Sequence, residues 1–337
     1  MSLIYIVTAA ASLALCLFAN PIGRALGVID RPDGGRKLHA RPTPLIGGIA
    51  VVLPWLAVFI VELVSGTFPM SFLPLALAIA VMLALGFVDD RGHVLALVRL
   101  MVSFAACLVA VVPEPKLVVE HLTLASIEQM LYLPYVIAIA FTLICTVGLQ
   151  NALNMADGKN GLAIGILIVW ALVLWQYSPN ETKTLLAALC IGLFIILFFN
   201  LKGSLFLGDA GTYSLSIGIG LLAIYCYNNS VRPMPAEALI LLFMIPVLDC
   251  LRVMTRRLRA GRSPFSPDRD HLHHYFLRWF SWRRGLLIYL AFIAVPNAIA
   301  VLYPETVSTM VMLTVVVYVM LVFSLGREPA PETRSTA

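Results

Sequence analysis

Four polar clusters interrupt an otherwise apolar chain. Gly86-Phe-Val-Asp-Asp90 ends an apolar run on two adjacent carboxylates. Neighbouring carboxylates repel each other unless a cation or a shared proton relieves them, so Asp89 and Asp90 point to a divalent metal or a bound proton. Acids at the end of an apolar helix are costly and seldom decorative. In Asn151-Ala-Leu-Asn-Met-Ala-Asp-Gly-Lys-Asn-Gly-Leu162, Asn151, Asn154 and Asp157 recur every third residue. On a helical turn that spacing puts all three on one face, before Gly158 and Gly161 break the regularity. Phe206-Leu-Gly-Asp-Ala-Gly211 sets Asp209 between glycines at the start of another apolar run, with Lys202 close upstream. A lone acid at a helix N-terminus suits a metal bound together with phosphate. Asp268-Arg-Asp-His-Leu-His-His-Tyr275 gathers three of the six histidines within four residues. A zinc cluster is one reading, but no cysteine is near. Arg and Asp neighbours favour phosphate binding, with Arg252, Arg256, Arg257, Arg259 and Arg262 also facing anionic lipid.

The elements that must position these residues are membrane spans. The chain is 61% hydrophobic and 12% charged, with a mean hydropathy of +0.94, which excludes an ordinary soluble domain. Its 337 residues are better divided by the roughly 20 apolar residues of one crossing. Eleven stretches qualify: 2–20, 44–64, 72–88, 94–112, 131–148, 161–177, 184–200, 211–228, 236–254, 285–303 and 306–325. The fold class is therefore all-α, a polytopic integral membrane protein with about 10–11 transmembrane helices. Residues 2–20 lack a positive n-region and read as a retained first helix. The six cysteines all lie inside apolar spans without C-x-x-C spacing and read as small buried hydrophobes.

Placing the N-terminus outside puts loops 21–43, 89–93, 149–160, 201–210 and 255–284 and the tail 327–337 on one side. With Arg99 and Arg252 at the same ends, that side holds 20 of the 23 Lys and Arg; only Lys116, Lys183 and Arg232 fall opposite. The positive-inside rule makes it the cytoplasm, with the C-terminus in. The net charge of +5 follows from this and does not indicate nucleic acid. All nine aspartates (Asp30, Asp33, Asp89, Asp90, Asp157, Asp209, Asp249, Asp268 and Asp270) share that side. Glutamates such as Glu114, Glu120 and Glu128 are external, and Glu332 is in the tail. Short carboxylates gathered on one face, amid Asn and His, suit a site that places oxygen ligands with little side-chain freedom. The first loop carries Arg24, Arg31, Arg36, Lys37, Arg41 and His39 before Pro-Thr-Pro. Gly47-Gly48 behind it would let a phosphate or another backbone approach closely.

In this order the residues resemble the polyprenyl-phosphate N-acetylhexosamine-1-phosphate transferase family. The matching pieces are P-x-x-G-G (Pro44 to Gly48), Asp89-Asp90, N-A-x-N-x-x-D-G (Asn151 to Gly158), F-x-G-D-x-G (Phe206 to Gly211) and D-R-x-H-x-H-H (Asp268 to His274). Each falls in a predicted cytoplasmic loop of one transferase domain, residues 1–326. The resemblance implies that a UDP-N-acetylhexosamine gives its sugar-1-phosphate to undecaprenyl or another polyprenyl phosphate, leaving UMP and starting cell-envelope glycan synthesis. It implies Mg²⁺, with Mn²⁺ as substitute, held by Asn154 and Asp209. It implies Asp89, Asp90 and Asp157 as catalytic acids, the pair positioning or deprotonating the lipid phosphate; direct attack is preferred here to a phospho-enzyme, a choice the residues themselves leave open. Arg269, His271, His273 and His274 would hold the donor diphosphate, Phe206 would stack on uracil, and Asn151 and Lys202 would complete substrate binding. The expected place is the inner membrane, among membrane lipids, with a homodimer as candidate assembly.

Better-known members continue their third motif D-G-x-D-G-L, whereas this chain has Asp157-Gly-Lys-Asn160-Gly-Leu. An ionised Asp only accepts hydrogen bonds, while Asn both accepts and donates, so Asn160 is assigned to uracil. Three rival readings exist. A transporter or flippase would want ionisable residues near mid-membrane. A scaffold would need none of these clusters, and a CDP-alcohol phosphotransferase would carry an Ala-Arg that Asp157-Gly-Lys-Asn160 lacks.

Overall fold

The computed structural model describes residues 2–32, 41–127, 129–266 and 268–326. Asp33, Arg36, Lys37, His39, Glu128 and the tail 327–337 with Glu332 lie outside the described residues. Thirteen α-helices are described, and each of the eleven apolar stretches is one of them: α1 (Ser2–Leu17), α3 (Gly47–Val64), α4 (Leu73–Arg91), α5 (Ala96–Val111), α6 (Tyr135–Ala156), α7 (Leu162–Tyr177), α8 (Asn180–Leu201), α9 (Gly208–Asn229), α10 (Ala236–Arg259), α12 (Trp282–Leu302) and α13 (Val307–Leu325). Two short helices, α2 (Ala19–Leu26) and α11 (Leu272–Trp279), flank them.

Among the described residues eight helices are long and apolar enough to cross a membrane, and the bent pair α1–α2, broken by 68°, makes a ninth. α5 and α7 are apolar but have 16 residues each. At 1.5 Å per residue that is about 24 Å, less than the ~30 Å hydrocarbon layer.

The helices also run further into the expected loops than the apolar stretches suggest. α4 carries Asp89 and Asp90 in its last turn, α6 carries Asn151 and Asn154, and α9 carries Asp209 in its first turn. Backbone hydrogen bonding continues through polar residues wherever side chains or neighbours satisfy them. Conversely, residues 131–132 are strand, not helix: β3 (His121–Leu124) pairs antiparallel with β4 (Gln129–Tyr132). A smaller pair joins β1 (Ile29–Asp30) to β2 (Thr43–Pro44).

α9 is the hub, with its whole span buried among α3, α4, α6 and α7. Its sequence permits this because small residues let neighbours approach closely. Gly218 faces the Trp55 ring and Ile79, and Gly220 faces Leu149 and Thr146. The hydroxyls of Ser214 and Ser216 donate back to the carbonyls of Ala210 and Thr212, so no polar side chain in that stretch needs water. Buried indoles are served the same way: Trp55 Nε1 donates to Leu185 O at 3.1 Å and Trp170 Nε1 to Leu242 O at 2.9 Å.

Glu114, Glu181 and Glu237 sit at the end of the bundle opposite Asp89, Asp90 and Asp209. Glu114 accepts from Ser71 at 2.5 Å, Glu181 from Tyr225 at 2.8 Å, and Glu237 from the amides of Ala125 and Ser126. The cysteines are unpaired, and all but Cys145 are buried.

Candidate active site

Asp90 and Asp89 are adjacent in sequence and serve different neighbours. The first amides of an α-helix have no partner within it and carry the positive end of its dipole. At α9 no residue of its own caps them; Asp90, from α4, does. Its Oδ1 accepts from Asp209 N at 2.8 Å and its Oδ2 from Ala210 N at 3.0 Å. Gly208 makes room, with φ +75, and a Cβ there would lie 2.6 Å from Asp90 Oδ2.

Asp89 turns toward α5. Its Oδ1 accepts from Val94 N at 2.9 Å, and its Oδ2 accepts from Arg99 Nη1 at 3.1 Å and Tyr213 OH at 2.7 Å. Arg99 also donates to Tyr213 OH at 2.8 Å. Neither Arg99 nor Tyr213 was a candidate from sequence, where Arg99 counted only toward the charge of its side.

The F-x-G-D-x-G segment is fixed from a second side. Phe206 N donates to Pro44 O, Gly47 N to Phe206 O and Gly48 N to Leu207 O, at 2.8 to 2.9 Å. The close approach expected at Gly47-Gly48 is thus another backbone: a Cβ on Gly48 would collide with Gly211.

With α9 so held, Asp209 meets α6. Asn154 Nδ2 donates to Asp209 Oδ1 at 2.6 Å and to Thr212 Oγ1 at 3.1 Å. Asn151 lies one turn earlier and donates to Val147 O at 2.8 Å. It borders a small pocket with Arg99, Tyr213, Phe265 and Gln150, where the buried Gln150 Oε1 has no partner among the described residues. Asp157 ends α6. Burial, and second the Asp209 carboxylate, push its carboxyl up to about 7.

Beyond it the loop is stapled twice. Gly161 N donates to Asn200 Oδ1 at 2.5 Å while Asn200 Nδ2 donates to Leu205 O at 3.0 Å, and Trp282 Nε1 donates to Asn160 O at 2.8 Å. The Asn160 amide lies beside Gly203, in the turn that leads to Phe206. Asn200 and Trp282 are further residues that sequence reasoning missed; a polar Asn closing an apolar helix was the available signal. Lys202 is not brought to the acids, because its ammonium sits 3.7 Å from the Phe198 ring centroid.

The histidines form a stack rather than a convergent cage. His271 Nδ1 bonds Asp249 Oδ2 at 2.8 Å, its ring stacks on His273 with an interplanar angle of 5°, and His274 lies 4.2 Å beyond, centroid to centroid. His273 Nε2 is buried with no partner among the described residues and faces Gly158, whose hypothetical Cβ would be 2.5 Å away. Burial, then the neighbouring histidines, hold His273 well below the ordinary histidine value, and burial with His271 takes His274 to about 4. Both rings are therefore neutral at pH 7 and offer N–H donors rather than charge. Arg269 lies near enough that its charge helps depress His274.

The donor set fits a hard cation that needs few protein oxygens. Asn154 and Asp209 present their side-chain ends to one point, and an amide turned about its last bond presents oxygen instead of nitrogen. No group of three or more His, Cys, Asp or Glu forms a cage among the described residues. Mg²⁺ asks for few protein ligands, because it keeps water and phosphate in its shell.

Comparison with known proteins adds the family. The profile described as Glycosyl transferase family 4 matches residues 72–227, which include Asp89, Asp90, Asn154, Asp157 and Asp209. A decaprenyl-phosphate N-acetylglucosaminephosphotransferase of Mycobacterium leprae is 32% identical over 293 residues, 76% of this chain and 72% of the relative. Its counterpart in Mycolicibacterium smegmatis is 30% identical over 337 residues, covering 87% and 81%. An undecaprenyl-phosphate alpha-N-acetylglucosaminyl 1-phosphate transferase of Escherichia coli K12 is 29% identical over 309 residues, covering 88% and 82%.

The cap from Asp90 has a stability consequence separate from any chemistry. Asp90→Ala should cost about 1–2 kcal/mol by exposing two helix amides without a partner, and Asp90→Asn, which still accepts one bond, clearly less. Thermal unfolding in detergent, without substrates, reads the order; equal midpoints for both variants and the parent would refute the cap.

Proposed function

The chain belongs to glycosyl transferase family 4, and from that premise we propose that it transfers N-acetylglucosamine 1-phosphate from UDP-N-acetylglucosamine to undecaprenyl or a related polyprenyl phosphate. An oxygen of the lipid phosphate bonds to the donor's β-phosphorus. The bond from that phosphorus to the bridging oxygen breaks, and UMP leaves with the oxygen. The observation that carries this reading is the meeting of Asp89, Asp90, Asn154, Asp157 and Asp209, from α4, α6 and α9, at one end of the bundle. A lipid phosphate and a soluble diphosphate can meet only at a membrane surface. A transporter would instead want ionisable groups at mid-span, and the acids here stand at helix ends.

Each residue has a task in this reading. Asn154 and Asp209 hold Mg²⁺, which when bound neutralises phosphoryl oxygens and stabilises charge in the transition state. Asp90 orients Asp209 by fixing the start of α9. Asp89 orients Arg99, which lines the small pocket that Gln150 and Asn151 border and supplies positive charge for the acceptor phosphate. The acceptor's second pKa is near 6, so it arrives largely ionised and needs little help from a base. Asp157 adds negative charge beside the metal. His273 and His274, neutral, donate N–H bonds to the donor diphosphate, with Arg269 supplying charge. Phe206 and Asn160 lie on the Gly203 side and take the uracil. This end faces the cytoplasm by the distribution of Lys and Arg.

Purified protein given undecaprenyl phosphate, Mg²⁺ and a panel of UDP-sugars should release UMP with UDP-N-acetylglucosamine. Asp209→Ala should lower the rate by roughly 10²–10³-fold, the scale of losing one transition-state charge contact. No release with any donor would sink the transferase reading, and unimpaired Asp209→Ala would sink the metal assignment.

Asp157 gives the pH dependence. Its folded value of about 7 stands above the ordinary 3.8, so between those values the folded, metal-free protein holds a proton that a free aspartate would not. A cation bound beside it must displace that proton. Mg²⁺ affinity should therefore fall as pH drops below about 7, with proton release. Calorimetric titration in two buffers of different ionisation enthalpy tests this; identical heats would contradict it.

A further inference from the structure

A second cavity lies away from these acids, between α10, α11 and α13. It is an open cleft of about 530 Å³, lined by Arg252, Arg256, Tyr275 and Tyr318 on one side and by apolar residues including Val319 and Phe323 on the other. Val319 is 43% exposed and Phe323 70%, so the apolar wall continues onto the outer face of α13, which a bilayer would cover. A polar floor beside a greasy, outward-opening wall at the ends of two spans fits an amphiphile, with its head inward and its chain along α13.

The floor selects the charge of that head. Arg252 is engaged: it donates to Asp249 at 2.8 Å, Tyr318 OH at 3.0 Å and Tyr275 OH at 3.2 Å, and also to Asp270 O. Arg256 is only half engaged. Its Nη1 donates to Asp270 Oδ1 at 2.8 Å and Tyr275 OH at 3.3 Å. Among the described residues its Nε and Nη2 donate to nothing, and its side chain is 59% exposed. Arg278 stands over the Tyr275 ring, 5.1 Å from the centroid. Against Arg252, Arg256 and Arg278 stand two carboxylates, Asp249 and Asp270, which leaves one positive charge uncompensated. The free guanidinium edge of Arg256 is a fork suited to phosphate oxygens.

We propose that this cavity binds an anionic phospholipid of the surrounding membrane, its phosphodiester on Arg256 Nε and Nη2 and an acyl chain along Val319 and Phe323. The floor is continuous with the histidine stack, since Arg252 holds Asp249 and Asp249 holds His271. An occupied cavity therefore braces α11, whose Tyr275 lines it, and through α11 the His273 contact with Gly158. The proposal does not rest on the transferase reading, and the occupant is a bilayer lipid rather than the acceptor.

The test is native mass spectrometry of the full chain released from vesicles of equal phosphatidylglycerol and phosphatidylcholine. The parent protein should keep one phosphatidylglycerol. Arg256→Gln should weaken that retention by roughly tenfold, the worth of a charged hydrogen bond. Val319→Trp, at a half-exposed position, should obstruct the acyl path along α13 and weaken retention independently. Equal retention by the parent and both variants, equal retention of phosphatidylcholine, or one-for-one displacement by undecaprenyl phosphate would each overturn it.

Discussion

One carboxylate organises the site: Asp90, reaching from the last turn of α4 to the first amides of α9. A helix start carries unpaired N–H groups and partial positive charge, and most helices cap it locally. Here the cap comes from another helix, so the direction in which α9 begins is set by α4. Asp209 is the second residue of α9, and its orientation follows. The requirement for Gly208 has the same origin, because the carboxylate occupies the space a Cβ would take. Pro44, Gly47 and Gly48 secure the preceding Phe206-Leu207 pair by backbone hydrogen bonds.

Everything else around the acids repeats this cross-bracing between elements. Asp89 ties α4 to α5 and α9 through Arg99 and Tyr213. Asn154 ties α6 to α9 through Asp209 and Thr212. Asn200 joins the loop after Asp157 to the turn before Phe206, and Trp282 holds Asn160 from α12. Each link is a buried or half-buried polar group whose partner lies on another element, which is costly to break in low dielectric and leaves little freedom to the side chains of the site. α9 can sit at the centre because its glycines and serines admit close neighbours and satisfy their own hydroxyls. The result is a rigid polar end on an apolar bundle, with Glu114, Glu181 and Glu237 at the opposite end.

Much of this was legible in the sequence, for a physical reason. Polar residues are expensive in a chain this apolar, so Asp89, Asp90, Asn154, Asp157, Asp209 and the histidines announce themselves. The eleven apolar stretches mark the helices, because burial in a bilayer demands length. Less legible was anything that depends on which partner a residue finds. Asp89 and Asp90 read as an equivalent pair, yet one is a salt-bridge partner and the other a helix cap. Arg99 counted only as a charge, and Tyr213, Asn200 and Trp282 drew no notice. Lys202 looked like a site lysine by proximity, whereas the Phe198 ring holds it. α9 starts before its apolar stretch because Asp90 caps its first amides, and α4 and α6 run on through polar residues whose side chains find partners on neighbouring helices. The β3–β4 hairpin escaped notice because its strands are four residues each, too short for alternation to speak.

The central claim is a division of labour: Asn154 and Asp209 hold the cation while Asp90 stays on the amides of α9. An anomalous-scattering structure of the protein with Mn²⁺ and UDP-N-acetylglucosamine tests it most directly. The account predicts the ion in contact with Asn154 and Asp209 oxygens, and Asp90 still accepting from Asp209 N and Ala210 N. An ion held by Asp89 and Asp90, with the start of α9 uncapped, would contradict it.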